Sequence, residues 1–240
     1  MDCILLHGWG VTNSVWDGLI PRLSGFDNIL SPCLYDVCKK SKNKEFDSVA
    51  EALNETIKKD CTLIAWSLGG LLALRLMPLT IKIKSVIFIA STPCFINREK
   101  WPNAINRNHF DELKERFSIN MGDTLKYFAG LVAHGDTYAS STNKIIQQYL
   151  AKEKHNDALS FWLDELETSV QRNWFMTTKV PLHVILGQND ILVKSKIKNQ
   201  LEELNTNMQC SIIKNCGHAP FISKPKETCS LIYKFLDERV

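Results

Sequence analysis

Short apolar runs alternate with stretches of helical spacing along the first part of the chain. Cys3-Ile4-Leu5-Leu6, Asn28–Ser31 and Cys61-Thr62-Leu63-Ile64 read as strands. Lys84–Ala90 is a nearly unbroken apolar run, as expected of a parallel strand covered on both faces. Between them, Ser14–Leu23 reads as a short helix ended near Pro21, and Leu71–Met77 has helical composition. Asp47–Lys59 places Val49, Leu53 and Ile57 four residues apart, the spacing of an amphipathic helix. Strands alternating with helices in this way predict βαβ units and a doubly wound α/β sheet.

From Cys94 to Trp174 the pattern changes to helical stretches alone, at His109–Phe117, Asp123–Val132, Asn143–Lys152 and Ala158–Val170. Pro181–Leu186 then resumes the sheet, followed by a helix over Lys194–Leu204, a strand at Cys210–Ile213 and a closing helix over Lys226–Val240. The expected organisation is a core of residues 1–93 and 175–240, interrupted by a helical insertion at 94–174 that would cap a pocket.

Composition changes this picture little. With 45% hydrophobic and 23% charged residues in 240, the chain suits one soluble core plus an insertion. A net charge of +3 is too small to imply nucleic-acid binding. No run approaches the length of a membrane span, and Met1-Asp2 leads directly into a strand without a secretory signal. The eight cysteines show no CxxC pairing, so a cytoplasmic chain with reduced, mostly buried thiols is expected.

The candidate chemistry falls at strand ends. Ser67 lies in Ala65-Trp66-Ser67-Leu68-Gly69-Gly70, between a strand and a helix, with small neighbours that a strained turn requires. Asp190 follows the strand at Pro181–Leu186, and His218 follows the strand at Cys210–Ile213. The carboxyl ends of parallel strands share one edge, so the three residues converge there. A serine hydroxyl needs an imidazole to take its proton, and a carboxylate must orient that imidazole. Taken singly, Ser67 fits an ordinary turn, Asp190 a helix N-cap and His218 a backbone-bonded loop residue. Together they favour catalysis. His7, in His7-Gly8-Trp9-Gly10, reads as a structural brace for its glycine-rich loop.

The segment around Ser67 resembles the nucleophile elbow of the α/β-hydrolase superfamily, with Ala65 where glycine is commonest. Leu5–Gly10, Trp66–Leu71, Ala90-Ser91-Thr92-Pro93-Cys94-Phe95 with Trp101-Pro102, and His218–Ser223 together resemble the BioH-type esterases of biotin synthesis. The resemblance implies an α/β-hydrolase fold. No residues remain for the usual N-terminal hairpin, leaving a mostly parallel sheet of about six strands. It implies Ser67 as nucleophile, Asp190 as acid and His218 as base, with oxyanion-hole amides from Trp9 and Leu68. Trp9, Leu68 and the cap residue Phe128 would contact the substrate, although ordinary cap packing explains Phe128 equally well. The implied reaction is hydrolysis of pimeloyl-acyl carrier protein methyl ester, without metal or organic cofactor. A general short-chain carboxylesterase and a catalytically silent binding protein are the alternatives.

The family's cap carries arginines for the carrier protein. Here Asp123, Tyr127, Ser140 and Lys144 align with them, keeping at most one basic position. Lys114, Arg116 and Lys126 on the cap, or a lysine-rich loop at Lys39–Lys44 near the pocket mouth, are the expected substitutes.

Overall fold

The computed structural model describes residues 1–43 and 45–238. Lys44, the last of the lysines at 39–44, and the final two positions of the expected closing helix lie outside the described residues. β1 (Asp2–Leu6), β2 (Ile29–Leu30), β3 (Cys61–Trp66), β4 (Ile83–Ile89), β5 (Leu182–Gly187) and β6 (Gln209–Ile213) form one parallel sheet. Their order is β2-β1-β3-β4-β5-β6. Every residue of β1, β3 and β5 is buried, which accounts for their unalternating apolar runs.

The chain passes from β1 to β2 on one side and then returns across β1 to β3. Strand order therefore reverses between β1 and β3, and a crevice opens outside the carboxyl ends of strands at such a point. The segments that leave those two strands are His7–Gly10 and Ser67–Gly70. Topology alone thus brings the glycine-rich loop and the serine turn side by side.

Helices α1 (Leu34–Lys40), α2 (Phe46–Asn54) and α3 (Leu68–Leu76) occupy the first crossovers. Between β4 and β5 lie α4 (Arg107–Ile119), α5 (Met121–Ala133), α6 (Ala139–Gln148), α7 (Asn156–Thr168) and α8 (Arg172–Thr177). Helix α9 (Ile197–Leu204) joins β5 to β6, and α10 (Pro220–Ser223) and α11 (Pro225–Asp237) follow. The starts of α4 and α5 are set by capping. Asn106 accepts from the Asn108 amide at 2.9 Å, and Asn120 from the Asp123 amide at 2.9 Å. The amide of Gln171 donates to the carbonyl of Pro93 at 2.9 Å, so the helical segment leaves and re-enters the sheet layer at one place. No helix among the described residues is long and apolar enough to cross a membrane.

Three expectations are corrected. Ser14–Leu23 is not an α-helix but two 3-10 turns, Asn13–Trp16 and Ile20–Arg22, because Pro21 brings no amide to continue a helical ladder. The lysine-rich stretch begins as helix α1, which buries Leu34, Tyr35, Val37 and Cys38 and ends on Lys39 and Lys40. The apolar spacing there is helical, and the lysines only decorate it. Helix α2 stops at Asn54, short of Lys59.

His7 ties β1 to α1. Its Nε2 accepts the Leu34 amide at 2.9 Å, so the ring proton sits on Nδ1, which donates to the Gly8 carbonyl at 2.8 Å. Burial pulls the His7 pKa down to about 4, and the ring is neutral at pH 7. Between pH 6.5 and about 4 the unfolded chain binds a proton that the native ring refuses. Stability is therefore fully present above pH 6.5 and falls as pH drops, by up to about 3 kcal/mol. Urea unfolding at pH 7.0 and pH 4.5 tests this. Wild type is expected to lose more stability than His7→Gln, and parallel losses would remove His7 as the cause.

Candidate active site

Ser67 sits at φ 53° and ψ −120°, a conformation that L-residues avoid. Its backbone is held from both sides. The Ser67 amide donates to the Ile89 carbonyl at 3.0 Å, and its own carbonyl accepts from Ser91 Oγ at 2.7 Å. The turn also presses α3 against β1, where a Cβ on Gly69 would lie 2.4 Å from the Leu6 carbonyl oxygen. Only glycine fits there. Ala65, on β3 between Leu6 and Phe88, is small enough for the turn.

The structure brings Ser67, His218 and Asp190 together. His218 Nε2 is 2.9 Å from Ser67 Oγ, and His218 Nδ1 is 2.7 Å from Asp190 Oδ2. All three are buried. Asp190 Oδ1 accepts the amides of Leu192 at 2.8 Å and Val193 at 3.0 Å. Asp190 is not the N-cap of the following helix, which starts at Ile197 behind Lys196; one of its oxygens holds the loop amides while the other faces the imidazole. That carboxylate holds the proton on Nδ1 and leaves the Nε2 lone pair toward the serine hydroxyl. Trp66 Nε1 donates to the His218 carbonyl at 2.8 Å, fixing the histidine backbone.

Trp9 and Leu68 flank the serine. Among the described residues, neither backbone amide donates to a backbone acceptor. Leu68 opens α3, where first-turn amides have no intrahelical partner and the helix dipole is positive. The Trp9 side chain is fully engaged: Nε1 donates to the Leu159 carbonyl at 2.9 Å, and its ring meets Phe128 edge-on at 4.9 Å. Phe128 is both packed against Trp9 and on the cavity wall, so the two readings of it are compatible.

The cavity over Ser67 has a volume of about 450 Å³. Buried Trp9, Phe95, Phe110, Leu113 and Phe128 line its interior with Ser67 and His218. Its exposed lining residues include Asn106, His109, Glu112, Tyr127 and Lys194, which give it a polar rim. None of residues 39–43 lines it. Lys39 donates instead to the Lys154 carbonyl at 2.8 Å, so the described part of the expected lysine loop, residues 39–43, does not line this mouth. Of the other cap cations, Lys114 pairs with Asp164 and Glu167, Arg116 with Glu112, and Lys126 with Asp123. Asp123 is therefore an ion-pair partner, while Tyr127 lies under the Arg116 guanidinium at 4.8 Å. Ser140 and Lys144 stand exposed on α6, and neither lines the cavity.

Two contributors were not singled out from sequence. Ser91 was visible only as part of a matching segment, and Asp136, which accepts the Gly217 amide at 3.1 Å, left no local signal. Elsewhere, Cys33, Asp36 and His155 bring possible ligand atoms within 4.8 Å of one another. His155 Nδ1 accepts the Lys152 amide at 3.2 Å, which leaves the proton of a neutral ring on Nε2. Neighbouring Lys154 and Lys39 add positive charge, a poor setting for a cation. Burial raises Cys61 to about 11 and Cys216 to about 12, so these thiols are inert at neutral pH.

A buried Asp–His–Ser chain at the carboxyl edge of a parallel sheet, opening on an apolar cavity, is hydrolase architecture. The chain belongs to the alpha/beta hydrolase fold family, whose sequence model matches residues 34–225. The pimeloyl-[acyl-carrier protein] methyl ester esterase of Aeromonas hydrophila is 28% identical over 98% of this chain and 95% of its own length. The protein of the same name from Pseudoalteromonas atlantica is 29% identical over 93% and 90%. Among solved structures, a bromoperoxidase from Bacillus anthracis superposes with a TM-score of 0.83 at 19% identity, covering 98% of this chain and 91% of that one. MenH from S. aureus superposes at 0.79 with 19% identity, covering 99% and 94%. These structures speak for the fold alone.

The tight approach at Gly69 has a measurable consequence. Gly69→Ala is expected to destabilise the protein by about 1–3 kcal/mol or more, because the clashing atom is backbone. Gly18→Ala, where an added Cβ meets nothing within 4 Å, serves as the control. Equal melting temperatures for the two variants would contradict the packing described.

Proposed function

We propose that this protein is a serine carboxylesterase that hydrolyses the methyl ester of pimeloyl-acyl carrier protein, releasing methanol and the free acid for biotin synthesis. The observation that carries the reading is the Asp190–His218–Ser67 chain ending at a buried apolar cavity. End-to-end similarity to proteins of that name supports the substrate.

Ser67 Oγ attacks the ester carbonyl as its proton passes to His218 Nε2. The negative charge that forms on the carbonyl oxygen falls to the amides of Trp9 and Leu68. Collapse breaks the bond to the methoxy group, which leaves as methanol with the proton from Nε2. Water then attacks the acyl-enzyme with His218 again as base, and the free carboxylate departs. Asp190 stabilises the imidazolium in both halves. Residues 94–174 act as the cap, and Phe128, with Trp9 and Leu68, contacts the acyl chain. Its methylenes suit the apolar interior, while the thioester end and the carrier arm emerge at the polar rim.

Carrier docking cannot follow the arginine pattern of the BioH-type esterases. Lys194 lies on the rim and enters none of the ion pairs that engage Lys114, Arg116 and Lys126. It is the cation we assign to the acidic carrier or its phosphorylated arm.

Turnover of pimeloyl-carrier methyl ester beside p-nitrophenyl butyrate tests the reading. Wild type is expected to cleave both and to rescue a biotin-requiring strain that lacks this esterase. Ser67→Ala should lower kcat by about 10⁴-fold or more on either ester. Cleavage of the nitrophenyl ester alone would make the protein a general short-chain carboxylesterase; absence of both activities would indicate a silent binding protein. Lys194→Ala should raise KM for the carrier-linked ester about two- to fivefold, an effect that salt erases, while sparing the small ester. Equal effects on both substrates would dismiss Lys194 from docking.

A further inference from the structure

The α5 wall of the cavity, which contributes Tyr127, Phe128 and Leu131, runs directly into the loops that hold the acid and the base. The Val132 carbonyl accepts the His218 amide at 3.1 Å. Asp136, buried at 9% exposure, accepts the Gly217 amide at Oδ1 over 3.1 Å. Thr137 donates to the Asn215 carbonyl through its amide at 3.2 Å and its hydroxyl at 3.1 Å. From the acid side, Asn189 Nδ2 donates to the Gly135 carbonyl at 2.9 Å. The contacts leave no slack. A Cβ on Gly217 would lie 2.5 Å from the His134 carbonyl oxygen, and one on Gly135 would lie 2.5 Å from that of Asn189.

Asp136 is an odd residue for this place if only the helix is considered. It lies just beyond the carboxyl end of α5, where the helix dipole is already negative and a carboxylate is disfavoured. Burying it adds desolvation, and its Oδ2 has no hydrogen-bond partner among the described residues. Its carboxylate accepts instead from the amide of the residue before His218 and lies beside the Cys216 thiol of the same loop.

We propose that Asp136 is a positioning residue for the base. Through the Gly217 amide it fixes the His218 loop against the α5 wall, keeping Nε2 within reach of Ser67 Oγ. Acyl chains that pack on Phe128 and Leu131 thereby steady the same element that holds the imidazole. This rests on the reading of Ser67 as nucleophile and His218 as base.

The test is the rate at which a fluorophosphonate labels Ser67, beside steady-state kinetics on p-nitrophenyl butyrate. Asp136→Ala is expected to slow labelling and kcat by about 10- to 100-fold, with KM within about twofold of wild type. Asp136→Asn keeps an oxygen for the Gly217 amide and should return both rates to within about threefold of wild type. Labelling of Asp136→Ala at the wild-type rate, equal losses in the alanine and asparagine variants, or an effect confined to KM would each overturn the proposal. If Asp136→Ala does not fold by circular dichroism, Asn189→Ala replaces it. That variant removes only the side-chain contact to Gly135, and unchanged labelling would again count against the coupling. A wild-type protein that fails to label defeats the reading of Ser67 itself, independently of Asp136.

Discussion

At Ser67 the chain adopts a backbone conformation that costs about 1–3 kcal/mol, and much of the surrounding structure serves to hold it there. Ile89 at the end of β4 and Ser91 just beyond it grip the Ser67 amide and carbonyl, and Gly69 lets α3 lie directly on Leu6 of β1. Three adjacent strands are therefore pinned around one residue. A relaxed turn would move the hydroxyl and the first amides of α3 away from the space they now share. The strain, the close-packed glycine and the exposed helix amides are one device, since none can change without the others.

Two buried histidines show how neighbours decide protonation and role. His7 receives the Leu34 amide on Nε2 and gives its Nδ1 proton to a carbonyl, so neither nitrogen is left for chemistry. His218 faces a carboxylate with Nδ1 and a hydroxyl with Nε2. Only the second has an unshared lone pair directed at an acidic proton and a negative charge placed to stabilise the imidazolium. Burial strengthens both arrangements, because in a low dielectric each satisfied hydrogen bond counts for more. It locks His7 neutral, and it lets Asp190 act on His218 without competition from water.

The catalytic candidates were legible because each sits where a simple apolar run ends, and the sheet order makes those ends converge. The sheet itself could be read from β1, β3, β4 and β5, whose runs are long and continuous. Ser14–Leu23 misled because its composition suits a helix while Pro21 forbids the ladder. Helix α1 was hidden under its lysines, although Leu34, Val37 and Cys38 carry the period. Asp136 and Ser91 had no local signature at all. Their partners, Gly217 and Ser67, lie 81 and 24 residues away, and side-chain bonds to a backbone amide or carbonyl leave no pattern in either segment.

Substrate choice lies in a different layer from the chemistry. The fold recurs in structural neighbours at 19% identity, and a shared fold does not by itself select an acyl group. The cavity wall is built largely by α4 with its N-cap Asn106 and by α5, which supply Phe110, Leu113 and Phe128 inside and Asn106, His109, Glu112 and Tyr127 among its exposed lining residues, so on the proposed function acyl selection would rest there. In this chain the ion pairs of Lys114 with Asp164 and Glu167, and of Arg116 with Glu112, turn the cap's cations toward its own acids. That pairing stiffens the helical layer and removes those charges from easy contact with an acidic partner. A carrier-linked substrate would then be recognised by the apolar bore and a cation on the β5–α9 loop of the core more than by a charged cap. Because α5 is also bonded to the loops of Asp190 and His218, a change in acyl preference made on that helix would be felt in the geometry of the base.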